Sequence, residues 1–279
     1  MTLVALCSLK GSPGVTTTAL GLAARWPSGE QPVVVECDPA GGDLLARFRL
    51  ETSPGLVSMA AAARRSTEPG LVWQHTQRLP GGLPVVIGPA GAVQACAALG
   101  EITGRQASVL RRAADRAGTV VIADCGRIDT DSLAMAVLRV ADVMVLLSRA
   151  RDDALSHVAT RLSAAARWSP RPCFVLVGDG YPTTEVSQTL GIPVIGRLPY
   201  DPRGAAVLGG ETSRRSAPAR SLLGRAMVDL AAAIAYHAQA EALVSNNRGA
   251  PGYAPPPSPL GHQQFWASAP AASPNGVPR

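Results

Sequence analysis

Short apolar runs recur along the chain and are separated by longer segments that are rich in alanine and polar residues. The runs consist mainly of Val, Ile and Leu, with little alternation between apolar and polar positions. Strands that are buried on both faces of a parallel sheet show this pattern. The runs are LVALCSL, PVVVECD, LPVVIGP, TVVIADCG, DVMVLLS, CFVLVGD and IPVIGRLP.

Ala-rich segments between the runs predict crossover helices. They lie at 17–25, 104–117, 152–168 and 183–190. Strands that alternate with helices indicate an α/β protein with a mostly parallel, twisted sheet flanked by helices on both faces. An α/β barrel belongs to the same class, but the uneven spacing of the runs and an early Gly-rich loop disfavour it.

A further helix is predicted near the end of the folded part, over residues 219–244. Leu223, Met227, Leu230 and Ile234 recur there at helical spacing and form one apolar face. We expect this face to pack against the sheet. A helix that contacts a membrane surface or DNA is the alternative, because arginines lie near its start.

The chain changes character at residue 246. The segment 246–279 is rich in Pro and Gly, contains no acidic residue and has no hydrophobic periodicity. This composition predicts a disordered tail after a folded domain at 1–245. The pair Phe265–Trp266 is unusual in such a tail, and either a short docking motif or an idle segment accounts for it.

Composition and charge narrow the class of protein. The 279 residues are 47% hydrophobic and 16% charged, which is ample for one sizeable core. The net charge of +6 comes from arginine, because Lys10 is the only lysine. This charge permits contact with nucleic acid or an anionic membrane without establishing either, and an Arg-rich composition also follows from a GC-rich genome.

Cysteine and histidine usage favours a reduced, cytoplasmic protein without a zinc site. The five cysteines form no CxxC pair and mostly lie in apolar runs, so we expect buried thiols. The four histidines are far apart in the sequence. The segment MTLVALCSLKG lacks a basic start and a cleavage site, so it predicts a first strand and not a signal peptide. No run reaches the roughly 18 apolar residues of a membrane-spanning helix.

The stretch SLKGSPGVTTTALGLAARW carries the first candidate chemistry. A strand that ends at Ser8, a tight loop through Gly14 and a helix from about Thr16 would direct backbone N–H groups and a helix dipole at one anion. Glycines allow the close approach of the backbone to a phosphate. The hydroxyl of Thr16 stands where a Mg²⁺ ligand is expected.

Two aspartates strengthen this interpretation. Asp38 in VVVECDPAGGD and Asp124 in TVVIADCGR each follow a predicted strand. The carboxyl ends of strands are where open α/β sheets bind ligands. Asp38 is placed to meet a terminal phosphate, its Mg²⁺ or an attacking water, and Asp124 suits a water-mediated contact with Mg²⁺. As isolated residues, both would more often be loop caps.

The order of these motifs resembles the ParA/MinD superfamily of ATPases. The segment KGSPGVTT is similar to that family's deviant Walker A loop, KGGxGK[ST]T, and ECDPAGGD and IADCGR resemble its second acidic motif and its Walker B segment. Later segments, ADVMVLLSRARDDALSHVATRL and LGIPVIGRLPYDPRGAAVLGG, also match family signatures. The similarity runs in order from about residue 2 to residue 235.

The resemblance implies a dimeric switch that binds ATP and Mg²⁺. In such proteins two protomers enclose two nucleotides, and the deviant lysine, here Lys10, reaches the partner's phosphates. Asp38 is then expected to orient water, with Thr16 as a Mg²⁺ ligand and Asp124 acting through water. Backbone groups of the loop are expected to cradle the phosphates; these belong to Gly11, Gly14, Val15, Thr16 and Thr17. Pro199 and Asp201 are expected to flank the base.

Three departures from the family pattern weaken the expectation of rapid hydrolysis. Val15 replaces the ordinary loop lysine, and Pro13 removes one backbone N–H from the cradle. Losing a charge-assisted contact of roughly 1.5–3 kcal/mol would weaken binding on the order of 10–150-fold. Hydrolysis is affected more, because transition-state charge must be stabilised. The sequence VLVGDGY also stands where the family usually carries an adenine-contacting Asn.

A small residue in place of the loop lysine resembles the CpaE/TadZ branch, whose members position pilus and secretion machinery. We therefore expect a cytoplasmic homodimer with weak or absent hydrolysis. A protein partner would recruit it to a pole or to the inner face of the membrane. The principal alternative is an active DNA- or plasmid-partitioning ATPase that binds DNA nonspecifically. A membrane-cycling MinD-type ATPase and a small-molecule kinase or ligase are less favoured. The chain lacks the terminal amphipathic helix that the first class needs and the loop lysine that the second class needs.

Overall fold

The computed structural model describes residues 2–27, 29–104, 109–169, 172–211 and 220–248. Eight strands form one sheet, and each of the apolar runs in the sequence supplies one of them. The strands are β1 (Thr2–Ser8), β2 (Gln31–Glu36), β3 (Gln77–Arg78), β4 (Pro84–Val86), β5 (Thr119–Arg127), β6 (Val143–Arg149), β7 (Pro172–Val177) and β8 (Val194–Leu198).

Helices connect the strands. They are α1 (Val15–Ala24), α2 (Leu44–Phe48), α3 (Leu56–Ala63), α4 (Leu71–Gln74), α5 (Ala92–Thr103), α6 (Val109–Ala114), α7 (Met135–Val140), α8 (Asp152–Trp168), α9 (Thr183–Leu190), α10 (Pro202–Leu208) and α11 (Leu222–Arg248). Among the described residues, none of these helices is long and apolar enough to cross a bilayer.

The sheet has the strand order β3-β4-β2-β5-β1-β6-β7-β8. All neighbouring pairs are parallel except β3 and β4, so the fold class predicted from the apolar runs is confirmed. Both Glu36 of β2 and Leu6 of β1 pair with Asp124 of β5. This register brings the carboxyl ends of three adjacent strands together, directly before the loops that carry the candidate chemistry.

Each face of the sheet is covered by its own apolar cluster. Along β1, Leu3, Ala5 and Cys7 contribute to one cluster, whereas Val4 and Leu6 contribute to the other. The same alternation explains why the strand runs lack polar positions, since neither face meets water. Four of the five cysteines are buried, and Cys96 is partly buried.

The terminal helix α11 packs through the face that its sequence predicts. Leu223, Met227, Leu230 and Ile234 are all buried in the second cluster. Met227 lies so close to Gly21 of α1 that a Cβ atom there would overlap its side chain. The chain forms one compact unit over Met1–Ala240 and a second over Glu241–Arg279. In the second unit α11 continues to Arg248, three residues into the segment predicted as a tail, and residues 249–279, including Phe265–Trp266, lie outside the described residues.

Some predicted helices differ in extent. The helix predicted over 104–117 is shorter, because Gly104 already terminates α5 and the next described helix is α6 (Val109–Ala114). Helix α1 begins two residues earlier than the predicted Thr17. The predicted ranges for α8 and α9 agree with the structure.

Candidate functional site

The loop between β1 and α1 contains two glycines in the left-handed region of backbone conformation. Gly11 and Gly14 have φ angles of 72° and 92°, in the left-handed region that only glycine adopts readily. Gly14 caps α1 without any side-chain hydrogen bond, so the first N–H groups of the helix receive no side-chain cap. A left-handed turn followed by a free helix N-terminus makes a concave cradle of N–H donors.

Thr16 and Asp124 meet beneath this loop. The hydroxyl of Thr16 donates a hydrogen bond to the Asp124 carboxylate, which also accepts the Gly126 N–H at 3.1 Å. Asp124 is buried, and its burial raises its pKa to about 6 despite these two hydrogen bonds. A divalent cation at this point would remove the cost of a buried negative charge.

Metal binding here would need further ligands. Among the described residues, no group of three or more His, Cys, Asp and Glu side chains is placed to hold a metal ion. Mg²⁺ is usually held by one or two protein oxygens together with phosphate oxygens and waters. The pair Thr16 and Asp124 therefore fits Mg²⁺ that arrives with a nucleotide.

Asp38 lies beside the same strand ends, just after β2. Its carboxylate accepts the N–H of Ala40 at 2.8 Å and faces the backbone of Gly126, where a Cβ atom would overlap it. Partial burial raises the pKa of Asp38, while Arg127 acts in the opposite direction. The structure thus brings Asp38 and Asp124 to one place, as their positions after β2 and within β5 predict.

Gly126→Ala is expected to destabilise the chain and to displace the Asp38 carboxylate. A non-glycine residue at its φ of 58° costs roughly 1–2 kcal/mol, and the overlap with Asp38 adds to this cost. Gly118→Ala is the matched control, because Gly118 has a φ of 73° and its nearest atom would lie 4.0 Å away. Urea unfolding should show a larger loss for Gly126→Ala, and equal losses would contradict the overlap.

Lys10 has a hydrogen-bond partner within the chain. Its ammonium group lies 2.9 Å from Nε2 of His157 on α8. The ammonium donates, so Nε2 is the unprotonated nitrogen of this imidazole. The role of Lys10 across a dimer stays a prediction, and within one chain the lysine is bound to α8.

Val15 is the first residue of α1 and its side chain is 6% exposed. It belongs to the apolar cluster between the sheet and the helices on that face, together with Leu44 and Ile122. The position that a lysine would occupy in the family pattern therefore contributes to the core. The apolar, buried side chain of Val15 therefore cannot bind a phosphate.

A cavity of about 250 Å³ opens beside the loop, and we call it the base cavity. Pro199 and Asp201, predicted to flank a base, both line it. The Asp201 carboxylate caps α10 by accepting the Gly204 N–H at 2.9 Å and also accepts the Leu223 N–H at 3.2 Å. These bonds lower the pKa of Asp201 and fix the segment that carries Pro199.

The remaining lining of the base cavity comes from several elements. It consists of Ser12, Pro13, Gly14, Thr17 and Thr18 from the loop and α1, Arg149, Val177 and Leu198 from β6, β7 and β8, and Tyr200, Pro202, Ala205, Leu223 and Met227. Tyr200 is 76% exposed. The cavity thus adjoins the loop between β1 and α1, which contributes Ser12, Pro13 and Gly14 to its wall.

Glu36 is a buried residue of this region that sequence reasoning missed. One carboxylate oxygen accepts the N–H groups of Asp43 and Leu44 at 2.7 and 3.0 Å, and the other accepts that of Gly88 at 2.8 Å. Burial raises its pKa to about 7, with a smaller contribution from Asp124. Glu36 therefore joins the Asp38-bearing loop to the loop after β4. The feature of the sequence that could have revealed Glu36 is a carboxylate inside the otherwise apolar run VVVEC.

Comparisons with known proteins establish the fold. No family model and no curated protein matches the chain. Among solved structures, a ParA family ATPase from Chlorobium tepidum has a TM-score of 0.65 at 18% identity, covering 83% of this chain and 98% of that one. MinD from Pyrococcus horikoshii, complexed with Mg-ADP, has a TM-score of 0.60 at 16% identity, covering 84% and 95%. An ATP complex of Cyanothece McdA has a TM-score of 0.58 at 13% identity, covering 84% and 96%. The chain has the fold of ParA/MinD P-loop ATPases.

Proposed function

We propose that the chain binds a Mg²⁺–nucleotide at the Gly11–Gly14 loop and acts as a dimeric switch or scaffold that positions cellular machinery. The observation that carries this proposal is the hydrogen bond between Thr16 and the buried Asp124 beneath a left-handed glycine loop. This arrangement supplies N–H donors for phosphates and a hydroxyl and a carboxylate for the cation at one place. The likeness in fold to structures with Mg-ADP and ATP supports it.

The proposed roles follow from position. Backbone N–H groups of the loop and of the start of α1 hold the phosphates; these belong to Gly11, Gly14, Val15, Thr16 and Thr17. Thr16 would hold Mg²⁺ and Asp124 would support it through water, and the ion would neutralise phosphate charge. Asp38 orients water, and Lys10 leaves His157 to reach the partner's phosphates. Pro199 and Asp201 flank the base.

Hydrolysis is proposed to be weak or absent. Phosphoryl transfer needs cationic groups that stabilise charge on the transferred phosphate. Val15 is buried in the apolar cluster and provides none. Binding suffers less, because the backbone cradle and the cation site do not depend on the side chain at this position.

The biological setting that we propose is the positioning of other cellular machinery. Like the CpaE/TadZ branch that its loop resembles, the chain would position pilus, secretion or similar machinery. It would act in the cytoplasm and reach a pole or the inner membrane face through a protein partner. The alternative of an active DNA-partitioning ATPase draws on the net charge of +6. DNA binding that falls steeply with added salt would favour this alternative.

Thr16→Ala is expected to weaken Mg²⁺–ATP binding about tenfold or more, since it removes the hydroxyl that holds both the cation and Asp124. Lys10→Ala is expected to retain binding and to lose nucleotide-dependent dimerisation. Calorimetric titration with ATP and Mg²⁺ measures the affinity, and analytical ultracentrifugation measures dimerisation. A phosphate-release assay measures hydrolysis. Thr184→Ala, an exposed change on α9, is the control. Unchanged affinity and unchanged dimerisation in both variants would rule out the proposal.

A further inference from the structure

Arg149 ends β6 beside the loop between β1 and α1. Strand β6 is parallel to β1 and pairs Leu147 with Ser8, so Arg149 lies just beyond the last residue of β1, level with the start of the loop. Leu147 belongs to the apolar cluster of the α1 face, and side chains two residues apart on a strand share a face. Val177, which pairs with Arg149 on β7, packs against the same cluster. Arg149 therefore lies on the face of the sheet that α1 covers.

The base cavity brings Arg149 together with the first turn of α1. Gly14, Thr17 and Thr18 line the cavity alongside Arg149. The N–H groups and the dipole at the start of a helix create a positive potential, which favours an anion and disfavours a cation. A guanidinium at this place adds to the positive potential. The pair of features thus calls for negative charge in the cavity.

The described part of the chain gives this guanidinium no anionic partner. Arg149 is exposed, and its guanidinium forms no hydrogen bond or ion pair with any described residue. Asp201 is the other charged residue of the lining, and its carboxylate oxygens accept the N–H groups of Gly204 and Leu223. The negative charge of Asp201 is therefore stabilised at the start of α10, and the guanidinium of Arg149 is available to a ligand.

Resting on the nucleotide site proposed above, we propose that Arg149 provides the cationic contact to phosphate that Val15 cannot provide. A guanidinium matches two phosphate oxygens in a bidentate arrangement and keeps its charge at any physiological pH. The base cavity extends from the loop to Pro199, which is proposed to flank the base. Arg149 lines the wall between these two ends, so the phosphate that it binds is the one nearest the sugar.

This position determines which property of the site gains from Arg149. The phosphate nearest the sugar is present in both ATP and ADP, and its contact with Arg149 is the same before and after the terminal phosphate is lost. A contact that is equal in the ground state and the transition state strengthens binding without accelerating the reaction. Arg149 thus compensates for Val15 in affinity and leaves hydrolysis weak.

Calorimetric titration of the full chain with Mg²⁺ and ATP or ADP tests this assignment. Arg149→Ala is expected to weaken the binding of both nucleotides about tenfold, as the loss of a charge-assisted contact does. Arg151→Ala is the matched control and should stay within about twofold of the wild type, because Arg151 is exposed two residues away and does not line the base cavity. Unchanged binding in Arg149→Ala, or a loss confined to ATP, overturns the proposal.

Two further variants distinguish a phosphate contact from a contact with the base or sugar. Arg149→Lys keeps the charge and is expected to retain most of the affinity. Arg149→Gln keeps hydrogen-bond donors without the charge and is expected to bind as weakly as Arg149→Ala. A glutamine variant that binds as tightly as the lysine variant would show that charge is not what the ligand requires, and would overturn the proposal. Thermal unfolding checks that each variant is folded.

Thr16→Ala separates this proposal from the nucleotide site on which it rests. If Thr16→Ala weakens nucleotide binding while Arg149→Ala does not, the site stands and the assignment of Arg149 is wrong. If neither nucleotide binds to the wild-type chain, both proposals are wrong.

Discussion

Replacing Glu36 with alanine is expected to lower the free energy of unfolding by about 3 kcal/mol or more at about pH 6. The carboxylate accepts three backbone N–H groups, from Asp43, Leu44 and Gly88. Each buried donor that loses its acceptor costs about 1–3 kcal/mol, and at this pH the raised pKa keeps Glu36 mostly protonated, so its loss relieves little repulsion with Asp124. Urea unfolding measures the difference.

Glu51→Ala provides the control for this loss. Glu51 is exposed, and only its backbone groups bond to Gln77. The control should stay within about 0.5 kcal/mol of the wild type, as most surface changes do. A Glu36→Ala variant as stable as the Glu51→Ala variant would show that water satisfies the three N–H groups and that the carboxylate does not hold the loops.

The stability of the wild-type chain is expected to contain a component that falls as the pH rises from about 4.5 to about 7. Burial raises the pKa of Glu36 from 4.5 to about 7, so in this range the native state holds a proton that the unfolded state has lost. The unfolded state binds fewer protons there, and stability therefore decreases with pH. The shift corresponds to about 3 kcal/mol, fully lost above pH 7.

Glu36→Gln isolates this component, because it removes the titrating group and keeps the shape of the side chain. Urea unfolding of wild type and variant at about pH 5 and about pH 8 should show a smaller decrease for the variant. Asp124 titrates in both proteins, so the difference between the two profiles reports Glu36 together with its coupling to Asp124. Parallel pH profiles would mean that Glu36 has no raised pKa.

The sequence predicts the strands of the sheet well, because burial on both faces leaves continuous apolar runs. It misses β3 and the helices α2 to α5, α7 and α10. The short elements among them lack periodicity and depend on distant contacts. Gln77 of β3, for example, donates its side-chain N–H groups to the carbonyls of Glu51 and Pro54. No local pattern encodes such a pairing.

In the candidate site, too, local patterns could be read from the sequence and contacts between distant residues could not. Asp38 and Asp124 could be placed from their positions at strand ends, because parallel strands end at one edge of the sheet. Glu36 accepts a hydrogen bond from Gly88, which is 52 residues away, and His157 contacts Lys10, which is 147 residues away. The burial of Val15 likewise follows from side chains that only the fold brings together.

The hydrogen bond between Lys10 and His157 also bears on the concentration at which two chains would pair. An acceptor within the chain competes with any phosphate that a second copy offers to the same ammonium group. An exposed bond of this kind is worth about 1 kcal/mol, a roughly fivefold bias toward the self-contained chain. Any pairing in which Lys10 reaches a partner's phosphates, as proposed above, would therefore need a correspondingly higher concentration of chain or of nucleotide.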